Sequence, residues 1–171
     1  MKKAAALLLI LAAALCLGLS GCAKYTHIVI TSQRFGDFYC SVYEDETVEI
    51  VKYMGEEARV EVPAGINSRT VVDISTRAFE NCDTVEEVFL PASLTTLPSK
   101  LFDGCDNLRA VYIPLTVKTI GKNLVSDCPA FTTVRYAGTE AQWNAVSKGN
   151  ALTENYLIAN AQMEFEYSVG D

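Results

Sequence analysis

Residues 88–108 read VFLPASLTTLPSKLFDGCDNL. Moving this stretch 23 residues along the chain reproduces its landmarks: Cys82, Cys105 and Cys128 share that spacing, as do Ile74, Leu97 and Ile120. Val85, Leu108 and Phe131 keep the same step, as do Val88, Val111 and Val134, and Pro91 and Pro114. A fixed period of about 20–50 residues marks a solenoid, in which each repeat is one coil that buries its apolar face only by stacking on its neighbours. Such an array presents a stacked surface rather than a catalytic cleft.

The strands follow from the same comparison. Val60-Glu-Val62-Pro63, Val88-Phe-Leu90-Pro91 and Val111-Tyr-Ile113-Pro114 are equivalent, and Val134-Arg-Tyr136 is a fourth copy without the proline. Proline cannot donate to a further ladder bond, so it ends each strand. Pro63 and Pro91 are 28 apart rather than 23, and the extra residues fall in Gly65-Ile-Asn-Ser-Arg-Thr70, which reads as a loop on the first coil. Upstream, Tyr25 to Thr31, Phe38 to Tyr43 and Thr47 to Tyr53 read as strands, the last two alternating and separated by the acidic turn Glu44-Asp-Glu46. Downstream, Thr139 to Val146 reads as a short helix with Thr139 as N-cap and with Trp143 and Val146 on one face. Ala151 to Ala159 is expected to add a helical turn, and Gln162 to Tyr167 alternates like a final strand.

The amino terminus reads as a processing signal. Lys2 and Lys3 precede the apolar run Ala4 to Leu19, too short for an ordinary spanning helix. The run closes on Leu19-Ser20-Gly21-Cys22, which resembles the lipobox of bacterial lipoproteins. That resemblance implies cleavage before Cys22 and acylation of its thiol with more than one chain, palmitate among them. Each buried CH₂ contributes about 0.8 kcal/mol, and stable anchoring takes more than one chain. The alternative is an ordinary secretory leader with an incidental cysteine.

The mature chain would keep 150 of the 171 residues, enough for one domain with a real core. Loss of the two lysines takes the formal charge from −7 to −9. So acidic a surface disfavours nucleic acid and anionic lipid, because counterion release needs Lys and Arg. Cys40, Cys82, Cys105 and Cys128 remain as thiols, an even number that invites a disulfide reading. Side chains stacked in parallel on successive coils meet disulfide geometry poorly, which favours buried free thiols packing as small hydrophobes. The spacing is not that of a zinc site, and the only histidine, His27, lies far away in sequence. No phosphate loop, dinucleotide fingerprint or metalloprotease motif is present, and no cofactor or metal is expected. Glu56-Glu57 and Glu86-Glu87 are adjacent acids on a turn and at a strand start, which are expected to be solvated.

At this point the quoted stretch resembles the BspA-like leucine-rich repeat. That pattern combines an apolar strand, Ile-Pro, Ser-Val, Ile-Gly, Ala-Phe, a cysteine and then Leu. Ala78-Phe79-Glu-Asn-Cys82 and Leu101-Phe102-Asp-Gly-Cys105 carry its centre, and Ile120-Gly121 carries the turn. Val125 in place of phenylalanine and Pro129 after Cys128 depart from it. The resemblance covers about residues 38–167. It implies a β-rich leucine-rich-repeat solenoid of about three 23-residue coils, with an N-terminal β-hairpin cap and a C-terminal α/β cap. The expected organisation is a leader at 1–21, a short anchor segment with a possible strand at 22–36, an N-terminal β cap at 37–57, the solenoid at 58–138 and a C-terminal cap at 139–171.

In each repeat strand the flanking apolar residues face inward, so the middle residue faces out. One outward column is Glu61, Phe89, Tyr112 and Arg135, and another is Arg59, Glu87, Ala110 and Thr133. Phe89 and Tyr112, edged by Glu87 and Arg135, are the candidate binding residues. The competing reading is that the aromatic pair only stabilises the sheet. Binding through these rings requires that they be solvent-exposed. Trp143 invites a sugar-stacking reading but is expected in the core of the closing segment. The resulting expectation is a non-catalytic, lipid-anchored protein on the extracytoplasmic face of the cell membrane. As the family resemblance implies, it would bind a protein or glycan partner in adhesion or recognition. The alternative is a structural or accessory scaffold of a cell-envelope complex.

Overall fold

Each coil turns at the same two places. Arg77, Lys100 and Asn123 have φ of 60°, 54° and 51°, and Asn81, Gly104 and Asp127 have φ of 56°, 71° and 51°. Both sets are left-handed corners one repeat apart, and the second uses only Asn, Gly and Asp, the types that adopt this region at least cost. Glycine at position 104 has a second reason, because a Cβ there would lie 2.5 Å from Asn81 Oδ1 of the neighbouring coil.

The computed structural model describes residues 28–149 and 151–167; the leader expected at 1–21, Cys22 and His27 lie outside them. Between the corners run short strands that stack into parallel sheets. β4 (Arg59–Glu61), β7 (Glu87–Phe89), β10 (Ala110–Ile113) and β13 (Thr133–Tyr136) form one sheet, to which β14 (Gln162–Phe165) adds in parallel beyond β13. β8 (Thr96–Leu97) pairs with β11 (Thr119–Ile120), and β9 (Phe102–Asp103) pairs with β12 (Val125–Ser126). The register joins residues one repeat apart: Val60, Val88, Val111 and Val134 lie side by side, followed by Met163. Those four valines are buried, and each such side chain contributes about 1.5–3 kcal/mol.

The N-terminal segment continues the same core. β1 (Val29–Phe35), β2 (Phe38–Tyr43) and β3 (Val48–Tyr53) form an antiparallel meander. β3 then pairs in parallel with β6 (Arg69–Ile74) of the first coil. The first strand thus runs to Phe35, beyond the Thr31 limit expected from its β-branched run, because its polar residues pair across to Phe38–Tyr43. The loop expected at 65–70 is a small hairpin, β5 (Gly65–Ile66) against β6, turned by Asn67 and Ser68 at φ 49° and 65°. A two-residue turn with both φ positive matches the twist of the strands it joins. An aromatic row crosses from this sheet into the coils, with centroid distances of 5.4 Å for Phe38–Tyr53, 5.1 Å for Tyr53–Phe79 and 5.4 Å for Phe79–Phe102.

At the other end α1 (Glu140–Ala145) starts at Thr139, whose hydroxyl accepts from Gln142 N while Gln142 Oε1 accepts from Thr139 N at 2.8 Å, a capping box. Trp143 and Val146 are both buried. α2 (Ala151–Glu154) and α3 (Tyr156–Asn160) follow. Between them Asn155, only 1% exposed, ties this segment to the third coil. Its Nδ2 donates to Gly121 O at 3.1 Å and Lys148 O at 2.9 Å, and its Oδ1 accepts from Leu124 N at 3.0 Å. No helix among the described residues is long and apolar enough to cross a membrane.

Candidate functional site

The parallel register builds the outward columns in the order that strand alternation predicts. Glu61, Phe89, Tyr112 and Arg135 are consecutive cross-strand partners, and Glu164 of β14 extends the column. Arg59, Glu87, Ala110 and Thr133 form the second column, extended by Gln162. Phe89, Ala110 and Tyr112 make a small apolar cluster of their own, separate from the main core. Their direction is therefore as expected.

Their exposure is not. Phe89 is 4% exposed and Tyr112 is 7% exposed, so the expectation of two solvent-facing rings is corrected. The rings stack on each other, with centroids 3.6 Å apart and planes 18° apart. The guanidinium of Arg59 lies 4.1 Å from the Phe89 centroid and that of Arg135 lies 4.8 Å from the Tyr112 centroid. Tyr167 closes on Tyr112 edge-on at 4.9 Å. The π-faces of Phe89 and Tyr112 are thus occupied by protein groups, and these two rings offer a sugar no open face to stack on.

Arg135 is the hub of this face. Its Nε donates to Glu164 Oε2 at 2.5 Å, and its Nη1 donates to Glu87 Oε1 at 3.1 Å and to the Tyr112 hydroxyl. The Tyr112 hydroxyl also reaches Glu87 Oε1 at 3.5 Å. Burial, and then the negative charge of Glu87, push the Tyr112 phenol up to about 12, against the opposing pull of Arg135. Burial alone would lower Arg135, but hydrogen bonding to Glu164 and Glu87 holds the guanidinium above its usual range. All four candidate residues, Glu87, Phe89, Tyr112 and Arg135, are therefore brought together in one network. Glu164 and Tyr167 are members that the repeat comparison did not supply. Glu164 is legible once the alternation of 162–167 is read as a fifth strand in register; Tyr167 follows the strand and carries no such signal.

Beside the stack, at the carboxyl ends of the strands, runs an apolar groove of about 540 Å³. Leu90, Pro91, Pro114, Leu115, Arg135 and Tyr167 are among its walls. Leu115, 41% exposed, is the large apolar side chain that the groove leaves accessible, beside the exposed Ala92 and Ala137. Trp143 lies instead in the interior, 5.2 Å from Tyr136, with Lys148 Nζ 4.5 Å from its ring, as expected for a core residue of the closing segment.

The cysteine positions divide. Cys40, Cys105 and Cys128 are buried free thiols. Cys82, expected inside with them, is a half-buried free thiol. It occupies the first position of the row and lines a polar hollow facing the N-terminal sheet.

Residues 64–148 match the family model for the BspA type leucine rich repeat region, in six copies. Among solved structures the chain is similar to a leucine-rich repeat protein from Bacteroides capillosus, with a TM-score of 0.64 and 17% identity over 80% of this chain and 99% of that one. A leucine rich cell surface protein from Faecalibacterium prausnitzii aligns at a TM-score of 0.39 and 20% identity, over 69% of this chain and 42% of that one. No curated protein matches the sequence. The leucine-rich repeat fold is common ground, and repeats of this kind suggest a protein-interaction or surface-recognition role.

Proposed function

We propose that this chain is a non-catalytic recognition module, held on the extracytoplasmic face of the cell membrane by an acylated Cys22. In this reading it has about three coils closed by a cap at each end, and it binds a protein partner in adhesion or recognition. The observation that carries the reading is the apolar groove beside the Phe89–Tyr112 stack, with Leu115 accessible on its wall. Apolar clefts with a few fixed polar groups are where binding energy concentrates, and Arg135 and the Tyr112 hydroxyl are such groups held rigid by Glu87 and Glu164. Phe89, Tyr112, Arg135 and Glu87 then shape the site, and Leu115 makes the contact. At this groove a protein is favoured over a glycan because the faces of Phe89 and Tyr112 are already covered.

The test is an array of immobilised extracellular proteins and glycans probed with the wild type and with Leu115→Asp. The reading expects at least one protein to bind and that signal to fall about tenfold or more in the variant, as hot-spot losses do, with unfolding temperature unchanged. Equal binding by the variant, or binding confined to glycans, overturns it. Labelling with a fatty-acid analogue, lost in Cys22→Ser, tests the anchor separately.

A further inference from the structure

The large apolar side chains that the described residues leave in water are mostly scattered: Tyr39, Met54, Leu115 and Tyr156 stand apart in sequence. Ile28, Val29 and Ile30 are consecutive, and they are 55%, 48% and 54% exposed. They lead into and open β1, an edge strand whose sheet partner is β2. The register breaks between Val29 and Thr31, so Ile30 stands in an irregularity of that edge. Beyond it the strand turns polar, and Thr31, Ser32, Gln33 and Arg34 are exposed as well. An ordinary half-buried strand alternates by face. This one changes character along its length, apolar at its N-terminal end and polar after it. At about 3.3 Å per residue the apolar end is about 10 Å long, comparable with the depth of about 5–10 Å to which an interfacial element sinks in a bilayer. Cys22 lies six residues before Ile28. Six extended residues reach at most about 20–22 Å, so acyl chains on Cys22 would keep the apolar end within that distance of the lipid surface.

We propose that Ile28, Val29 and Ile30 are a bilayer contact of the anchored chain, seated in the interface of a neutral lipid surface with the polar end of β1 pointing away from it. The proposal rests on the Cys22 anchor reading. The tether supplies what a three-residue strip lacks alone. Over so short a linker the effective concentration of the lipid surface is about millimolar, so a weak contact is enough. The free edge of β1 limits the depth. Its outward N–H and C=O groups have no strand partner, and they need water or headgroups because hydrocarbon does not tolerate unsatisfied backbone. The neighbouring charges set the lipid class. Glu44 N donates to Ile28 O at 3.0 Å, which places the acidic turn Glu44-Asp-Glu46 beside the strip. Glu46 is paired with Arg69 at 2.7 Å. The exposed carboxylates of Glu44 and Asp45 outnumber Lys24, the one ammonium of the linker, and disfavour an anionic surface. A second copy of the chain, paired along this edge, would use the backbone of the whole strand and gives no reason for apolar residues only at the anchored end.

The test expresses the full chain in a bacterial host and reconstitutes the acylated product in phosphatidylcholine vesicles with bromine on the acyl chains. Bromine quenches tryptophan emission on contact. Ile30→Trp is expected to shift to the blue and to lose emission, whereas Gln33→Trp, toward the polar end of the strand, and the buried Trp143 of wild type lose far less. Unquenched Ile30→Trp overturns the proposal, as does equal quenching at both positions or quenching confined to anionic phosphatidylglycerol vesicles. A dimer in which Ile30→Trp is shielded from bromine assigns the strip to a second copy and also overturns it. If mass spectrometry finds no acyl group on Cys22, the anchor reading fails by itself. Six histidines before residue 22 and a nickel-chelating lipid then hold the chain on the vesicle for the same measurement. Both variants replace exposed residues, and Val29→Trp serves where Ile30→Trp does not fold.

Discussion

The ring of Phe89 lies 3.6 Å from the ring of Tyr112, centroid to centroid, one repeat apart on adjacent parallel strands. Both rings are buried although both point away from the solenoid core. A second, smaller apolar layer therefore exists outside the sheet, roofed by Arg59, Arg135 and Tyr167. Phe89→Ala is expected to cost about 3–5 kcal/mol, as for a core aromatic rather than a surface one. Urea unfolding measures it; a loss under about 1 kcal/mol would show that the layer contributes little.

Arg135 bonds two carboxylates and a phenol from three other strands. Arg135→Met keeps the stem but leaves Glu87 and Glu164 facing each other without a cation. A loss of about 2–3 kcal/mol is expected, and a smaller loss in high salt, where the remaining carboxylates are screened. Denaturant titrations of both proteins at two ionic strengths decide this.

The Tyr112 phenol is held up to about 12 by burial and by Glu87. The folded state keeps a proton that the unfolded chain gives up near pH 10. Its contribution to stability is complete below about pH 10 and disappears as pH rises to about 12. Glu87→Gln removes one of the groups that push the phenol up, so its phenolate absorbance should rise at lower pH than in wild type. An unchanged titration would remove Glu87 from the account.

Trp143 fills the interior of the closing segment, and Asn155 satisfies two carbonyls and one amide of the third coil and its neighbour. Trp143→Ala should cost about 3–5 kcal/mol. Asn155→Leu should cost about 2–4 kcal/mol, because the buried Leu124 N–H loses its acceptor and the half-buried carbonyls of Gly121 and Lys148 lose their donor. Calorimetry tests both, and an unchanged unfolding temperature for either would detach that residue from the core.

Ser93 and Thr116, one repeat apart, each bury a hydroxyl oxygen that has no hydrogen-bond partner. Ser93→Ala and Thr116→Val should each raise stability by about 1 kcal/mol, since an unpaired buried hydroxyl is a net cost. Destabilisation on thermal unfolding would mean that these hydroxyls are satisfied in solution.

The repeat made much of this legible in advance. A 23-residue step gave the strands, the inward valines and the order of both outward columns, because side-chain direction in a strand is local and alternates with period two. Thr139 and Trp143 were legible for a related reason: capping and helical facing depend on neighbours within one turn. Exposure is different, because direction does not say what lies on the far side. Phe89 and Tyr112 are covered by Tyr167, more than fifty residues downstream, and by arginine stems that reach across strands. Cys82 differs from Cys105 because it borders a polar hollow toward the N-terminal sheet, whereas Cys105 has a cysteine-bearing coil on both sides. Sequence alone thus determined the coil, its register and the way each side chain points. Only the tertiary structure decided which of those side chains meet water, because burial is set by groups brought from distant parts of the chain.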